Sequence, residues 1–166
     1  MLVRGIVIAV AVGVLDQFVK VGILDYFAAH PELGQHVVVT GFFNLVLTLN
    51  RGISFGIFND PHTGEIVLVG LAAIIVIGLL VWLARINSGL LAVAIGFIIG
   101  GAAGNAVDRV LRGAVVDFLD FHLGQWHPFA FNLADAAISV GVALLILEGL
   151  LGGRGRAVPA RGAKEP

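Results

Sequence analysis

Four long apolar stretches constrain what this chain can fold into more than any other feature of its sequence. They lie near 5–24, 66–84, 90–111 and 133–151. Each is close in length to the roughly 20 residues that a helix needs to cross the hydrocarbon core of a bilayer. Because 58% of the residues are hydrophobic and only 13% are charged, the composition is not that of a water-soluble globule. We therefore predict an all-α membrane protein with four transmembrane helices.

The positions of Lys and Arg predict the orientation of these helices. If the four helices alternate across the membrane, six basic residues fall on one side: Arg4, Arg85, Arg154, Arg156, Arg161 and Lys164. Basic residues are enriched on the cytoplasmic side, so we expect both termini in the cytoplasm. The segments 25–65 and 112–132 then lie outside. Residues 1–151 are expected to form one membrane domain, and 152–166 a disordered, basic cytoplasmic tail.

The first outer segment differs in character from the helices. Residues 36–58 are rich in β-branched and aromatic side chains, and Asn44, Asn50 and Arg51 interrupt them. This pattern predicts two or three short strands with turns, and residues 114–118 are a candidate for a further strand. Because an open sheet edge cannot face hydrocarbon, we expect a small β-sheet on the extracytoplasmic surface.

Asp117 and Asp135 are the residues that most strongly suggest chemistry. They flank the segment between the third and fourth stretches, so both should lie near the same membrane face. A carboxylate costs about 2.5–3.5 kcal/mol at the centre of a membrane helix and less toward the interface. Asp135 could instead complement a helix dipole, and Asp117 could be an ordinary loop acid. We favour a functional pair because Asn105, Arg109 and Asn132 are expected on the same side.

A close pair of carboxylates has a defined acid–base chemistry. At about 4 Å and an effective dielectric near 20, two carboxylates repel by roughly 4 kcal/mol, which keeps one of them protonated near neutral pH. The pair then holds one proton and titrates as a unit. One acid can take a proton from water while the other protonates the scissile carbonyl, as in aspartic proteases. Peptide hydrolysis at the membrane interface is the reaction that suits such a pair.

Three further features bear on partners and packing. Asp16 and Lys20 are four residues apart, so they can form a structural pair on one helix face, with a substrate or lipid-headgroup contact as the alternative. Gly96, Gly100 and Gly104 predict close helix packing within the chain, and we therefore expect a monomer. A net charge of −1 gives no support to nucleic-acid binding, and the absence of cysteine and of an H-E-x-x-H motif argues against a metal site.

Around the polar residues described above, the sequence resembles the lipoprotein signal peptidases (signal peptidase II), which are bacterial inner-membrane aspartic peptidases. The resemblance runs from about residue 12 to 150. Its five motifs, in order, are Asp16-Gln17-Phe18-Val19-Lys20, Asn50-Arg51-Gly52-Ile53-Ser54-Phe55-Gly56, Gly104-Asn105-Ala106-Val107-Asp108-Arg109, Gly113 through Phe118, and Phe131-Asn132-Leu133-Ala134-Asp135. Five ordered motifs at family-like spacing are a specific signal, whereas any one of them alone would be weak.

The resemblance implies an endopeptidase that cuts diacylglyceryl-modified prolipoproteins on the amino side of the lipidated cysteine. It makes Asp117 and Asp135 the catalytic pair, acting on a water held between them. It implies substrate contacts for six residues: Asn50, Gly52, Asn105, Asp108, Arg109 and Asn132. It also implies an outer sheet that cradles the substrate, inhibition by globomycin-like cyclic peptides, contact with membrane lipid, and no metal or cofactor.

Two functions of other classes remain open on the sequence alone. A small proton-coupled transporter also uses membrane carboxylates, although its site should lie near the bilayer midplane, usually between repeats. A non-catalytic lipid-binding subunit would need only the grooves and the sheet. The expected position of the two acids near one membrane face, and the lack of a visible repeat, favour the peptidase.

Overall fold

The predicted helical architecture is confirmed by a computed structural model that describes residues 1–52 and 61–152. Its helices are α1 (Leu2–Ala29), α2 (Pro61–Leu83), α3 (Gly89–Arg112) and α4 (Leu133–Gly152). Each of these four helices in the described ranges is long and apolar enough to cross a membrane. The chain is therefore a membrane protein.

Two helices extend beyond the stretches that hydropathy predicted. α1 continues to Ala29, past the predicted end at residue 24, and α2 begins at Pro61, before the predicted start at residue 66. Proline fits the first position of a helix, because the backbone N–H that it lacks has no helical partner there. Hydropathy marks the segment that fits the hydrocarbon, whereas a helix continues until its backbone is capped or broken.

Helix α3 packs against each of the other three helices and carries most of the buried helical residues. Glycines allow this close packing. A Cβ atom added at Gly100 would lie 2.6 Å from the backbone oxygen of Ala9, and one added at Gly96 would lie 2.7 Å from that of Gly5. The glycine ridge predicted from the sequence is thus the contact surface between α1 and α3.

Both ends of α3 are capped by the residues that favour such positions. The hydroxyl of Ser88 accepts a hydrogen bond from the backbone N–H of Leu91. At the other end, Gly113 adopts a left-handed conformation with φ of 71° and donates to the backbone oxygen of Arg109. Such a glycine ends a helix without steric cost and turns the chain directly into the next strand.

The small sheet has three antiparallel strands in the order β1 (His36–Val38), β2 (Phe43–Asn50) and β3 (Val115–Phe121). The fold prediction is confirmed. β3 belongs to the segment between α3 and α4, where residues 114–118 were a candidate for a further strand. Residues 53–58 of the predicted β segment and 153–166 of the predicted tail lie outside the described residues.

Candidate active site

Asp117 lies on strand β3 and is only 2% exposed, so it is not a loop acid. Both of its carboxylate oxygens accept hydrogen bonds from amide side chains. The Nδ2 of Asn50, at the end of β2, donates to Oδ2 at 2.9 Å, and the Nδ2 of Asn132 donates to Oδ1 at 2.7 Å. The sheet therefore holds Asp117 in one orientation from two sides.

Asp135 lies in the first turn of α4 and forms a reciprocal cap with Asn132. The backbone N–H of Asp135 donates to Oδ1 of Asn132 at 3.0 Å, and the backbone N–H of Asn132 donates to Oδ2 of Asp135 at 3.2 Å. This arrangement resembles a capping box, which satisfies two free N–H groups at a helix start. Asp135 therefore lies where a carboxylate complements the helix dipole, as the alternative interpretation of this residue expected. The cap leaves Oδ1 to accept a hydrogen bond from Nδ2 of Asn105 at 2.8 Å.

Two asparagines connect the aspartates to each other. Asn132 donates from the same Nδ2 to Asp117 and to Oδ1 of Asn105, the latter at 3.1 Å, and Asn105 donates to Asp135. Burial raises the pKa of Asp117 above 3.8, and the negative charge of Asp135 raises it further. The repulsion between the acids is the electrostatic coupling expected of a carboxylate pair.

Gly52 and Arg109 form one wall beside this pair. Nη1 of Arg109 donates to the backbone oxygen of Asn105 at 3.3 Å. Its buried Nε has no hydrogen-bond partner within residues 1–52 and 61–152. Gly52 has φ of 82° and donates its N–H to Oδ1 of Asn50 at 2.8 Å, and a Cβ there would lie 3.4 Å from Nη2 of Arg109. A side chain at Gly52 would therefore be both strained and crowded.

An open cavity of about 480 Å³ reaches Asp117. Its lining residues come from the end of β2, from β3 and from the segment before α4: Thr48, Leu49, Asn50, Arg51, Gly52, Asp117, Phe129 and Ala130. The lining mixes polar and apolar groups, so the cavity can hold a peptide with both kinds of side chain. Asn105 and Asn132 lie behind the carboxylates, with 9% and 0% of their surfaces exposed.

Asp16, Lys20 and Asp108 form a fully buried ionic cluster next to this site. Nζ of Lys20 lies 2.9 Å from Oδ2 of Asp16 and 2.7 Å from Oδ2 of Asp108, and all three side chains have zero exposure. Asp16 and Lys20 are thus paired on one face of α1, and both side chains are fully buried. Lys20 also donates to Oδ1 of Asn105 at 3.0 Å, which joins the cluster to the asparagines.

The structure adds polar residues that the sequence did not single out. Gln17 donates to Oδ1 of Asp108 at 3.0 Å, and Arg112 also bonds to Asp108. Gln17 lies within a family motif and Arg112 lies beside one, and this position could have identified both residues from the sequence. Asp120 is also buried on β3, where Asn44 donates to it at 2.9 Å.

With this geometry established, comparison with known proteins decides the family. The sequence profile of the family described as signal peptidase (SPase) II matches residues 8–151. The chain belongs to the signal peptidase II family. Similar family members include the lipoprotein signal peptidase of Methylobacterium sp. strain 4-46, with 46% identity over 89% of this chain and 88% of the relative. That of Methylobacterium radiotolerans is 43% identical over 98% and 95%.

Solved structures agree with the family assignment. One, described as a bacterial membrane enzyme solved by the in meso method at 1.9 Å resolution, superposes with a TM-score of 0.73 and 32% sequence identity. It covers 88% of this chain and 92% of its own. A second, at 2.3 Å resolution, has a TM-score of 0.71 and 32% identity and covers 96% and 94%. Signal peptidase II members are peptidases, so this chain is a hydrolase.

Proposed function

We propose that this protein removes the signal peptide from lipid-modified prolipoproteins by aspartic-type hydrolysis in the bacterial inner membrane. Its family and the names of its relatives, which are lipoprotein signal peptidases, support the substrate class. One observation carries the proposed mechanism: Asp117 and Asp135 are joined through two asparagines beside an open cavity that reaches Asp117. The cut is proposed to fall on the amino side of the lipidated cysteine.

In this mechanism the two acids share one proton. The raised pKa of Asp117 favours its protonated form, which can donate to the carbonyl oxygen of the scissile bond. Asp135 takes a proton from the attacking water, and the addition gives a gem-diol. The C–N bond then breaks as Asp135 passes its proton to the leaving nitrogen, and Asp117 takes a proton back from a gem-diol hydroxyl. The amides of Asn105 and Asn132 hold the carboxylates while the proton moves, which reduces reorganisation during the reaction. No side-chain nucleophile is needed.

The open part of β2 offers the substrate a backbone partner. β1 begins at His36, opposite Val46, so residues 48–50 of β2 pair only with β3 within the described part of the sheet. Their other edge has no strand partner among residues 1–52 and 61–152, and it could pair with an extended peptide, as in strand addition. A peptide bound there would pass Asn50 and Gly52 on its way to Asp117. The acyl chains of the lipidated cysteine remain in the bilayer.

Cleavage of a purified lipidated precursor in detergent or vesicles tests this function. We expect the wild type to release the signal peptide, and Asp117→Asn and Asp135→Asn each to lose about 10²–10⁴-fold in turnover, the usual contribution of a general acid or base. A mass spectrum of the products shows whether the cut lies next to the lipidated cysteine.

Asp120→Asn is the matched control. Asp120 is a buried acid on the same strand as Asp117, but its hydrogen bonds are with Asn44 and His127 and not with the residues that join the catalytic pair. The variant should keep near-normal turnover. Near-normal cleavage by Asp117→Asn or Asp135→Asn would show that the pair is not catalytic. A wild type that leaves the precursor intact would favour the transporter or the lipid-binding subunit.

A further inference from the structure

Two buried carboxylates bind the backbone immediately before each aspartate of the pair. Oδ1 of Asp16 accepts the N–H of Ala134 at 2.9 Å, and Ala134 precedes Asp135. Oδ2 of Asp108 accepts the N–H of Val116 at 3.1 Å, one residue before Asp117. Each hydrogen bond fixes the start of the element that carries the acid, which is α4 in the first case and β3 in the second.

Lys20 joins these two carboxylates to each other. Its ammonium group has three N–H donors, and it has three acceptors in contact: Asp16, Asp108 and Oδ1 of Asn105, at 2.9, 2.7 and 3.0 Å. Because an ammonium can only donate, it fixes which end of the Asn105 amide faces it. The NH₂ group of Asn105 must then point away, and it donates to Asp135.

Space for this arrangement is provided by a glycine. A Cβ atom added at Gly104 would lie only 2.6 Å from Oδ2 of Asp16, so any side chain at that position would displace the carboxylate. The carboxylate crosses from α1, past α3, to the first turn of α4. Removing one member of such a buried ionic group is strongly destabilising, because the remaining charges lose their partners.

We propose that Lys20, held between Asp16 and Asp108, is a positioning residue that sets the spacing and orientation of Asp117 and Asp135. This inference rests on the proposed function of the two aspartates. We call Asp16, Lys20 and Asp108 the lysine clamp. The side chain of Lys20 is fully buried, so it acts through the two carboxylates that bind the backbone and through Asn105.

The clamp also acts through charge, which separates it from a purely structural element. The positive charge of Lys20 lowers the pKa of Asp117 and so opposes the effect of burial. Loss of that charge should raise the pKa of Asp117 and move the pH–rate profile to higher pH. Replacing Asp16 with Asn removes a negative charge instead, so the profile should move to lower pH.

The test compares Lys20→Met with Arg112→Met in the precursor cleavage assay. Both variants remove a cation that contacts Asp108, but Arg112 bonds to Gln17 rather than to Asn105. We expect Lys20→Met to lose about 10²-fold in kcat, as a misplacement of about 1 Å can cause, with KM changed by less than about threefold. Its pH profile should move upward. Arg112→Met should keep kcat within about threefold of the wild type.

A folded Lys20→Met with normal kcat and an unchanged pH profile would overturn the proposal, as would an equal loss in Arg112→Met. If Lys20→Met does not accumulate, Asp16→Asn and Asp108→Asn decide, since each keeps the size of the side chain and one oxygen acceptor. Lower kcat with a profile shifted to lower pH supports the clamp. Unchanged kcat and profile in both variants contradict it.

The same assay separates this inference from the proposed function. Asp117→Asn and Asp135→Asn are measured alongside. If they keep turnover, the catalytic pair itself is wrong, whatever Lys20→Met does. If they are inactive while Lys20→Met retains wild-type kcat and pH dependence, only the clamp is wrong.

Discussion

Strand β3 carries two acids three residues apart whose pKa values shift in opposite directions. Burial is the largest influence on Asp117 and raises its pKa above 3.8, with a further contribution from the charge of Asp135. At Asp120 burial also acts to raise the pKa, but hydrogen bonds from Asn44 and His127 outweigh it and lower the pKa below 3.8. The surroundings of strand β3 thus favour the protonated form of Asp117 and the ionised form of Asp120.

These directions predict opposite effects on stability as the pH changes. A raised pKa in the folded state means that folding favours protonated Asp117, so its contribution to the unfolding free energy falls as pH rises from 3.8 through the folded pKa. A lowered pKa means that Asp120 contributes stability above pH 3.8, which is lost as pH falls through its folded pKa. Thermal midpoints of wild type, Asp117→Asn and Asp120→Asn across this range measure both effects.

In Asp117→Asn the loss of stability with rising pH should be smaller than in the wild type. In Asp120→Asn the loss of stability with falling pH should be smaller. Each variant serves as the control for the other, because all other titrating groups are shared. Parallel curves for wild type and Asp117→Asn would contradict the assigned pKa direction.

Sequence reasoning could identify the polar residues of the site but not their partners. Asn105, Asn132 and Lys20 stand out because polar side chains in or beside apolar helices are rare. Which end of an amide donates, and to which acid, depends on side-chain rotamers and on tertiary contacts. The bonds from Asp16 to Ala134 and from Asp108 to Val116 could not be predicted, because each joins separate elements.

At the level of elements, the contact between α1 and α3 depends on glycine. Backbone atoms of α1 lie where a side chain on α3 would begin, at distances below normal contact. Substituting even alanine must push the helices apart or distort them, and overpacking of this kind typically costs about 1–3 kcal/mol. A shift of α1 would also displace Asp16 and Lys20, which lie farther along that helix.

Gly100→Ala should therefore destabilise the protein, because its Cβ would lie 2.6 Å from the backbone oxygen of Ala9. Gly78→Ala in α2 is the matched control, since no other element in the described part of the chain places a heavy atom within 4 Å of its added Cβ. It should be neutral or slightly stabilising, because alanine favours a helix over glycine by roughly 1 kcal/mol. Thermal unfolding in detergent measures both variants. Equal melting temperatures for the two would show that the interface tolerates a methyl group.

The sequence predicted the existence of each transmembrane helix better than its ends. Apolar content sets the span of a bilayer, so all four positions could be predicted. The ends of α3 depend on Ser88 and Gly113, while α1 and α2 extend past the apolar stretches into polar residues. For the strand Val115–Phe121, the sequence indicated only residues 114–118, because a short apolar run beside a helix has no distinctive periodicity.

On the scale of the whole molecule, the candidate site draws on elements from throughout the chain. Lys20 comes from α1, Asn50 from β2, Asn105 from α3, Asp117 from β3 and Asp135 from α4. If both termini are cytoplasmic, as the basic residues predict, these side chains lie toward the extracytoplasmic face. That face is where the lipidated cysteine of an exported precursor would be found.

Single-cysteine labelling tests this orientation directly, because the natural chain contains no cysteine. Gln125→Cys places a thiol in the exposed segment between β3 and α4, and Asn87→Cys places one in the exposed turn between α2 and α3. A membrane-impermeant maleimide should label Gln125→Cys in intact spheroplasts and Asn87→Cys only after lysis. The reverse pattern would place the candidate site on the cytoplasmic side. Retained precursor cleavage confirms that each variant is folded.

The hydrogen bond from Asp16 to Ala134 has a consequence for biogenesis. A ribosome synthesises α1 before α4, so Asp16 cannot accept the hydrogen bond from Ala134 until α4 has entered the bilayer. Only then can Asp135 stand beside Asp117. A nascent chain whose α4 has not yet entered the bilayer therefore lacks the assembled pair of acids. Under the proposed mechanism, such a chain cannot hydrolyse a precursor.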